Sequence, residues 1–168
     1  LIFENCRVPV QNRVGQEGEG FHIAMQALNR GRIAIGAASV GVATQAFEEA
    51  REYAKTRHQF GRPLSSFQGI QMMLADMATA IEYSRLLVRK AAFLKDQGEE
   101  AIQAASMAKV VASDVAMSVT TKAVQIFGGN GYCQEYPVER LMREAKVLQI
   151  IEGTNQIQRL VIAKEILK

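Results

Sequence analysis

"IQAASMAKVVASDVAMSVTTKAVQIFGG", residues 102–129, decides the fold. Ile102, Ala105, Ala108, Val111 with Ala112, Val115, Val119, Ala123 and Ile126 recur every three or four residues, which is the period of one helix face. The run contains no proline and stops at Gly128-Gly129, a helix-ending signal.

The same period extends outward on both sides. Upstream, Ile70, Met73 with Leu74, Met77, Ile81, Ser84 and Leu87 with Val88 form a second stripe. Ser65 or Ser66 is placed to cap it and Gly98 to close it. A loop, "TRHQFGRPLSS" (56–66), precedes it, broken by Gly61 and Pro63. Before that loop a long helix is expected from Phe21 to about Lys55, striped by Ile33, Ala37, Val40, Ala43 with Thr44, Phe47 and Ala50 with Arg51. Gly31, Gly36 and Gly41 allow it to bend or pack closely. Downstream, Pro137 suits the first turn of a short helix carrying Val138, Leu141, Met142 and Ala145. A last helix begins at Thr154 and runs through Ile157, Leu160, Val161 and Ile166. Three long helices and two shorter ones with short connections predict an all-α, up-down helical bundle. The methionines at 72, 73, 77, 107 and 117 read as core filler.

Residues 1–18 stand apart from this bundle, which is expected to occupy 19–168. Val8-Pro9-Val10 reads as extended, because proline pushes its predecessor out of the α region. Gly15, Gly18 and Gly20 mark a turn-rich link.

Composition narrows the function classes. Hydrophobic residues make up 48% and charged residues 22%, with three prolines and no tryptophan, an ordinary balance for one globular domain. The net charge of +3 comes without any run of like charges, so no nucleic-acid footprint is indicated. The longest uncharged, weakly apolar stretch, 33–45, falls short of the roughly 20 residues of a membrane span. No secretory signal pattern opens the chain. Cys6 and Cys133 are far apart and read as free thiols, and the isolated His22 and His58 suggest no metal site.

Four stretches carry possible chemistry. In "IIEGTNQIQR" (150–159) Glu152 sits just before a helix start, where free N–H groups favour an anion and a rigid corner suits a general base. "QIFGGNGYCQEYP" (125–137) has glycines that let a backbone approach a ligand, but it follows a helix and lacks dinucleotide spacing. "RHQFGRPLSSFQ" (57–68) offers the planar fork of Arg57 for phosphate and Phe60 and Phe67 for flat contact. In "LNRGRIAIG" (28–36) Arg30 and Arg32 flank Gly31, so that one faces solvent while the other meets an acidic partner or ligand.

Together with "VPVQNRVGQEGEGF" (8–21), these stretches, in this order, resemble the C-terminal helical domain of the acyl-CoA dehydrogenase family. The resemblance covers nearly all 168 residues and implies that Leu1 to Arg13 is the last strand of a middle β domain. It implies a flavoprotein that uses FAD to oxidise an acyl-CoA to the trans-2-enoyl-CoA, as in fatty acid β-oxidation or branched-chain amino acid breakdown. Glu152 takes the place of the base that removes the α-proton while the β-hydrogen leaves as hydride to flavin N5, and the backbone N–H of the base helps hold the thioester oxygen. Gly153 and Asn29, Arg30, Gly31 and Arg32 take substrate-contacting places. Thr154, Asn155 and Gln156 match the stretch touching FAD. Gln125, Ile126, Phe127, Gly128 and Gly129, with Arg57, Gln59, Phe60 and Gln68, match contacts to the FAD of a neighbouring subunit, Arg57 near its pyrophosphate. In isovaleryl- and long-chain-type members the base comes instead from the place of Gly31. Glycine there, with Glu152 present, points to a short-, medium- or short-branched-chain substrate. The family's usual tyrosine before the base is here Ile151. The implied partners are acyl-CoA, electron-transferring flavoprotein and further copies in a dimer of dimers. The implied location is the bacterial cytosol or the mitochondrial matrix. The 168 residues alone are expected to be inactive. An acyl-CoA oxidase-like flavoprotein and a non-catalytic oligomerisation scaffold are the alternatives.

Overall fold

The computed structural model describes residues 1–168. Five α-helices carry the fold: α1 (Gly20–Thr56), α2 (Gln68–Asp96), α3 (Ile102–Phe127), α4 (Pro137–Leu148) and α5 (Asn155–Ile166). The all-α bundle is therefore as expected. α3 runs through the centre and touches all four other helices. Small residues make that possible. Ala43, Ala46, Ala50 and Ala54 of α1 are fully buried against the core that includes Ala116, Val119 and Ala123 of α3. Gly36 brings α1 close enough that a Cβ there would stand 3.6 Å from the Ala108 backbone.

By length and composition α3 and the turn after it would suffice to cross a membrane, but more than half of the residues of α3 itself are buried in the bundle. It is the core helix, and it carries Lys109, Asp114 and Lys122.

The ends of α3, α4 and α5 follow the predicted signals. Gly128 closes α3 at φ +63°, Pro137 opens α4, and Thr154 caps α5 by accepting from the Ile157 N–H at 3.4 Å. Elsewhere the local structure corrects the reading. Ser65 and Ser66 do not cap α2: they lie in a 3₁₀ turn (Leu64–Ser66), Ser66 Oγ donates to the Pro63 carbonyl at 2.8 Å, and Phe67 stands at the N-cap. The expected loop is a small hairpin, β1 (His58–Gln59) with β2 (Arg62–Pro63), because Phe60 and Gly61 both take positive φ and make the tight turn that matches strand twist. Residues 1–19 contain no strand. Pro9 is extended as predicted, but Val10–Asn12 is a 3₁₀ turn, and Ile2, Phe3, Val8 and Val10 are exposed with no ladder partner in the chain. Met77 is in the core, whereas Met72 is exposed.

Candidate functional site

The predicted residues gather in two places far apart. The first is the corner between α4 and α5. Glu152 and Gly153 are successive left-handed residues, with φ +55° and +84°. That conformation strains a residue with a side chain, by about 1–2 kcal/mol, and persists only where the surroundings over-determine it. Here the carbonyls do so. Gln158 Nε2 donates to the Glu152 carbonyl at 3.1 Å and to that of Gly153 at 3.3 Å, and Lys109 Nζ donates to the Gly153 carbonyl at 3.0 Å.

The turn aims the Glu152 side chain at α1. A Cβ built on Gly31 would lie 2.7 Å from the Glu152 carboxyl carbon, so the glycine is what makes room for the carboxylate. Oε2 of Glu152 is buried and accepts no hydrogen bond from the chain. The N–H groups of Ile150, Ile151 and Asn155 have carbonyl acceptors, but those of Glu152 and Gly153 have none. Both carboxylate oxygens and the N–H groups of Glu152, Gly153 and Thr154 are thus left uncommitted within the same corner, Oε2 being the buried one.

Two cations stand close by. Arg32 is buried, donates through Nη1 to Asn29 Oδ1 at 2.7 Å, and keeps an unpaired Nε. Burial lowers its pKa and the Glu152 charge opposes the shift. Arg30, by contrast, is exposed in a polar recess with Gln26, Asn29, Lys95 and Glu100. Arg30 thus faces solvent as expected, whereas Arg32 donates to Asn29 and forms no ion pair with an acidic residue. Lys109 is completely buried, and burial brings its pKa down to about 8 against the pull of Asp114 and, more weakly, of Glu152.

Asn155 is also buried. Its Oδ1 accepts from Lys109 at 2.7 Å, while its Nδ2 donates to Ser113 Oγ at 2.9 Å and Asp114 Oδ1 at 2.7 Å. Its side chain therefore supports the corner from below. Thr154 is half-buried at the cap and Gln156 is exposed. Lys109, Ser113, Asp114 and Gln158 escaped the sequence reading. The signal that could have found them is a polar stripe, Ser106, Lys109 and Ser113, at helical spacing on an otherwise apolar helix.

The second place is at the far end of α1 and α3. A cavity of about 290 Å³ is lined by Arg57 and Gln59, by Ile126 to Asn130, and by Tyr53 and Leu64. Tyr53 stacks on Phe127 at 4.0 Å between ring centres and Tyr136 meets both rings edge-on, while Asn130 Nδ2 donates to Tyr53 Oη at 2.9 Å. A Cβ on Gly128 or Gly129 would meet no atom of this chain, and Arg57 is exposed and outside every ion pair of the chain. An exposed guanidinium beside an open glycine backbone suits the anionic and planar parts of a dinucleotide. Phe60 is 92% exposed on the hairpin turn and rests edge-on against Phe67. Gln68 and Gln125 are exposed nearby in sequence but do not line the cavity.

From Gly31 to Arg57 is 26 residues of one helix, or ~39 Å. The two clusters of one chain do not meet. No group of three His, Cys, Asp or Glu residues could hold a metal.

The fold and the site define a helical domain that presents one inward carboxylate and, at the opposite end, an open glycine–arginine rim. The signature described as "Acyl-CoA dehydrogenase, C-terminal domain" matches residues 18–167. The short-chain-specific acyl-CoA dehydrogenase of Clostridium acetobutylicum is 55% identical over the whole chain, which spans 44% of that relative's length. The butyryl-CoA dehydrogenase structure from Megasphaera elsdenii superposes with a TM-score of 0.96 at 52% identity, covering 99% of this chain and 44% of that one. A chain from a structural study of the electron transferring flavoprotein of Acidaminococcus fermentans matches at 0.97 and 56%, with coverage of 99% and 44%. The chain belongs to the acyl-CoA dehydrogenase family.

Proposed function

We propose that this chain is the C-terminal helical domain of an FAD-dependent acyl-CoA dehydrogenase acting on a short-chain acyl-CoA. Medium-chain and short-branched substrates fall within the same reading. Residues 1–18 would belong to the preceding domain and 19–168 to the bundle.

In this reading Glu152 removes the α-proton of the thioester. That proton is weakly acidic, so a base must be held in contact with it and donors must meet the developing oxyanion. What supports the assignment above all is the buried, unpartnered Glu152 Oε2 on a strained corner beside Gly31. The uncommitted Glu152 N–H fits the oxyanion donor. Arg32, buried beside it, compensates the carboxylate's charge while water is excluded. Flavin, when bound, supplies the two-electron acceptor for the β-hydrogen. Thr154 and Gln156 would border it from this chain, and Arg57, Gln59 and the Gln125–Gly129 segment would hold the far end of the cofactor of another copy. The ~39 Å between the clusters favours that division between copies and the dimer of dimers that goes with it.

Electron-transferring flavoprotein is the acceptor we assign, and the bacterial relatives favour the bacterial cytosol. An oxygen-using oxidase would instead release peroxide. Glu152→Gln in the flavin-loaded enzyme is the deciding variant. Turnover should fall at least about 10³-fold, within the range for a lost general base, with flavin retained. Substantial residual turnover would reject the base, and flavin-independent persistence of all function would favour a scaffold.

A further inference from the structure

Beneath the Glu152 corner lies a buried cation that the proposed reaction does not touch. Lys109 of α3 has no exposure, and its ammonium donates only to the Gly153 carbonyl at 3.0 Å and to Asn155 Oδ1 at 2.7 Å. Neither acceptor is a carboxylate. A buried ammonium without a direct counter-ion is costly, and an apolar side chain of similar length would fill the same space. Packing therefore does not account for the charge.

Its position does. The Gly153 carbonyl belongs to the second of the two left-handed residues, and Lys109 and Gln158 are the groups that draw it inward. A charge-assisted hydrogen bond is the stronger kind, and here it falls on the peptide that follows the base. Asn155 ties the same ammonium to Ser113 and Asp114, and Asp114 is in turn held by Gln149 at 2.7 Å and Arg159 at 2.7 Å. The corner is thus fastened to α3 and α5 from below, while the Glu152 carboxylate remains free above.

We infer that Lys109 is a positioning residue for Glu152: its ammonium pins the Gly153 carbonyl inward and so holds the left-handed corner that delivers the carboxylate to Gly31. The inference rests on Glu152 being the α-proton base. Burial brings the lysine's pKa down to about 8, still above neutral pH.

The test compares Lys109→Met and Lys109→Gln with the parent in the flavin-loaded enzyme of the relatives' full length. A misplaced base costs rate more than binding. Lys109→Met should lower kcat about 30- to 100-fold, with KM for acyl-CoA within about threefold and flavin content and melting temperature retained. The isotope effect with α-deuterated substrate should rise, because proton removal becomes slower relative to the other steps. Lys109→Gln, which keeps a donor at shorter reach, should fall between. A folded, flavin-loaded Lys109→Met enzyme with kcat within about threefold of the parent would overturn the inference. So would losses in both variants that follow only the amount of folded protein, with activity per flavin and the isotope effect unchanged, since that marks a packing residue. Glu152→Gln measured alongside separates the two levels: turnover surviving there removes the base itself, whereas a dead Glu152→Gln beside unaffected Lys109 variants removes only the positioning role.

Discussion

The two ends of α3 are built from opposite materials. Around Phe127 the helix closes on stacked and edge-on aromatic rings, with one amide, Asn130, bonded to the hydroxyls of Tyr53 and Tyr136. Around Lys109, ~27 Å away along the same helix, the interior holds an ammonium, a guanidinium, two amides and two serines, and several polar atoms there have no partner. The aromatic end contributes stability and presents a rigid rim. The polar end gives stability up in order to aim one carboxylate. The cost of burying polar groups falls at the Glu152 corner, and apolar packing elsewhere offsets it.

Four outcomes would break or sharpen this contrast. The largest belongs to the aromatic end: Phe127→Ala should cost about 3–5 kcal/mol by thermal or denaturant unfolding, the range for a deleted core aromatic ring. Smaller destabilisation than at Lys109→Met would reverse the assignment of which end carries the fold.

Next comes the pH dependence of the polar end. Lys109 has a folded pKa of about 8 against 10.5 for an ordinary lysine, with Asp114, Arg32 and Glu152 as its charged neighbours. Between those values the unfolded chain holds a proton that the folded chain has released. Stability therefore rises as pH climbs from about 8 to about 10.5, by up to about 3 kcal/mol, and below pH 8 that contribution is absent. The stability difference between the parent and Lys109→Met, followed across this window, isolates it from other titrating groups. A flat difference would show that burial does not penalise the charge.

Third, Gly31→Ala should lower kcat about 10²-fold by displacing the Glu152 carboxylate, while the melting temperature holds or rises, since alanine is the better helix former. Activity and stability moving in opposite directions would mark the polar end as a trade between the two. Last, Asn130→Ala should cost about 1–2 kcal/mol by denaturant unfolding, through the hydroxyls of Tyr53 and Tyr136.

The sequence makes one end of the molecule easier to read than the other. Stripes of Ala, Val and Ile, the glycine stop at 128, Pro137 and the Thr154 cap are local signals, and the helices they predict are the helices found. The hairpin was hidden because phenylalanine at positive φ contradicts the preference of its residue type. The serines at 65 and 66 misled because two adjacent cap formers were spent in a 3₁₀ turn. At the candidate site, Glu152 was legible from its place before a helix, and Arg57 and the glycines from their loops. Lys109 was not, because a charged residue within an apolar stripe reads as solvent-facing until the α4–α5 corner is known to pass over it. Its partners, Gly153 and Asn155, lie more than 40 residues further along the chain.

The positive φ of Glu152 sets backbone and side chain at that position against each other. The main-chain torsion would be most at ease with glycine or asparagine, neither of which carries a carboxylate. Aspartate would relax the torsion and keep the acid, but it is one methylene shorter, which withdraws the oxygens by ~1.5 Å from the α1 wall. Glutamate is the residue that reaches, and the discomfort of its own peptide is the toll for that reach.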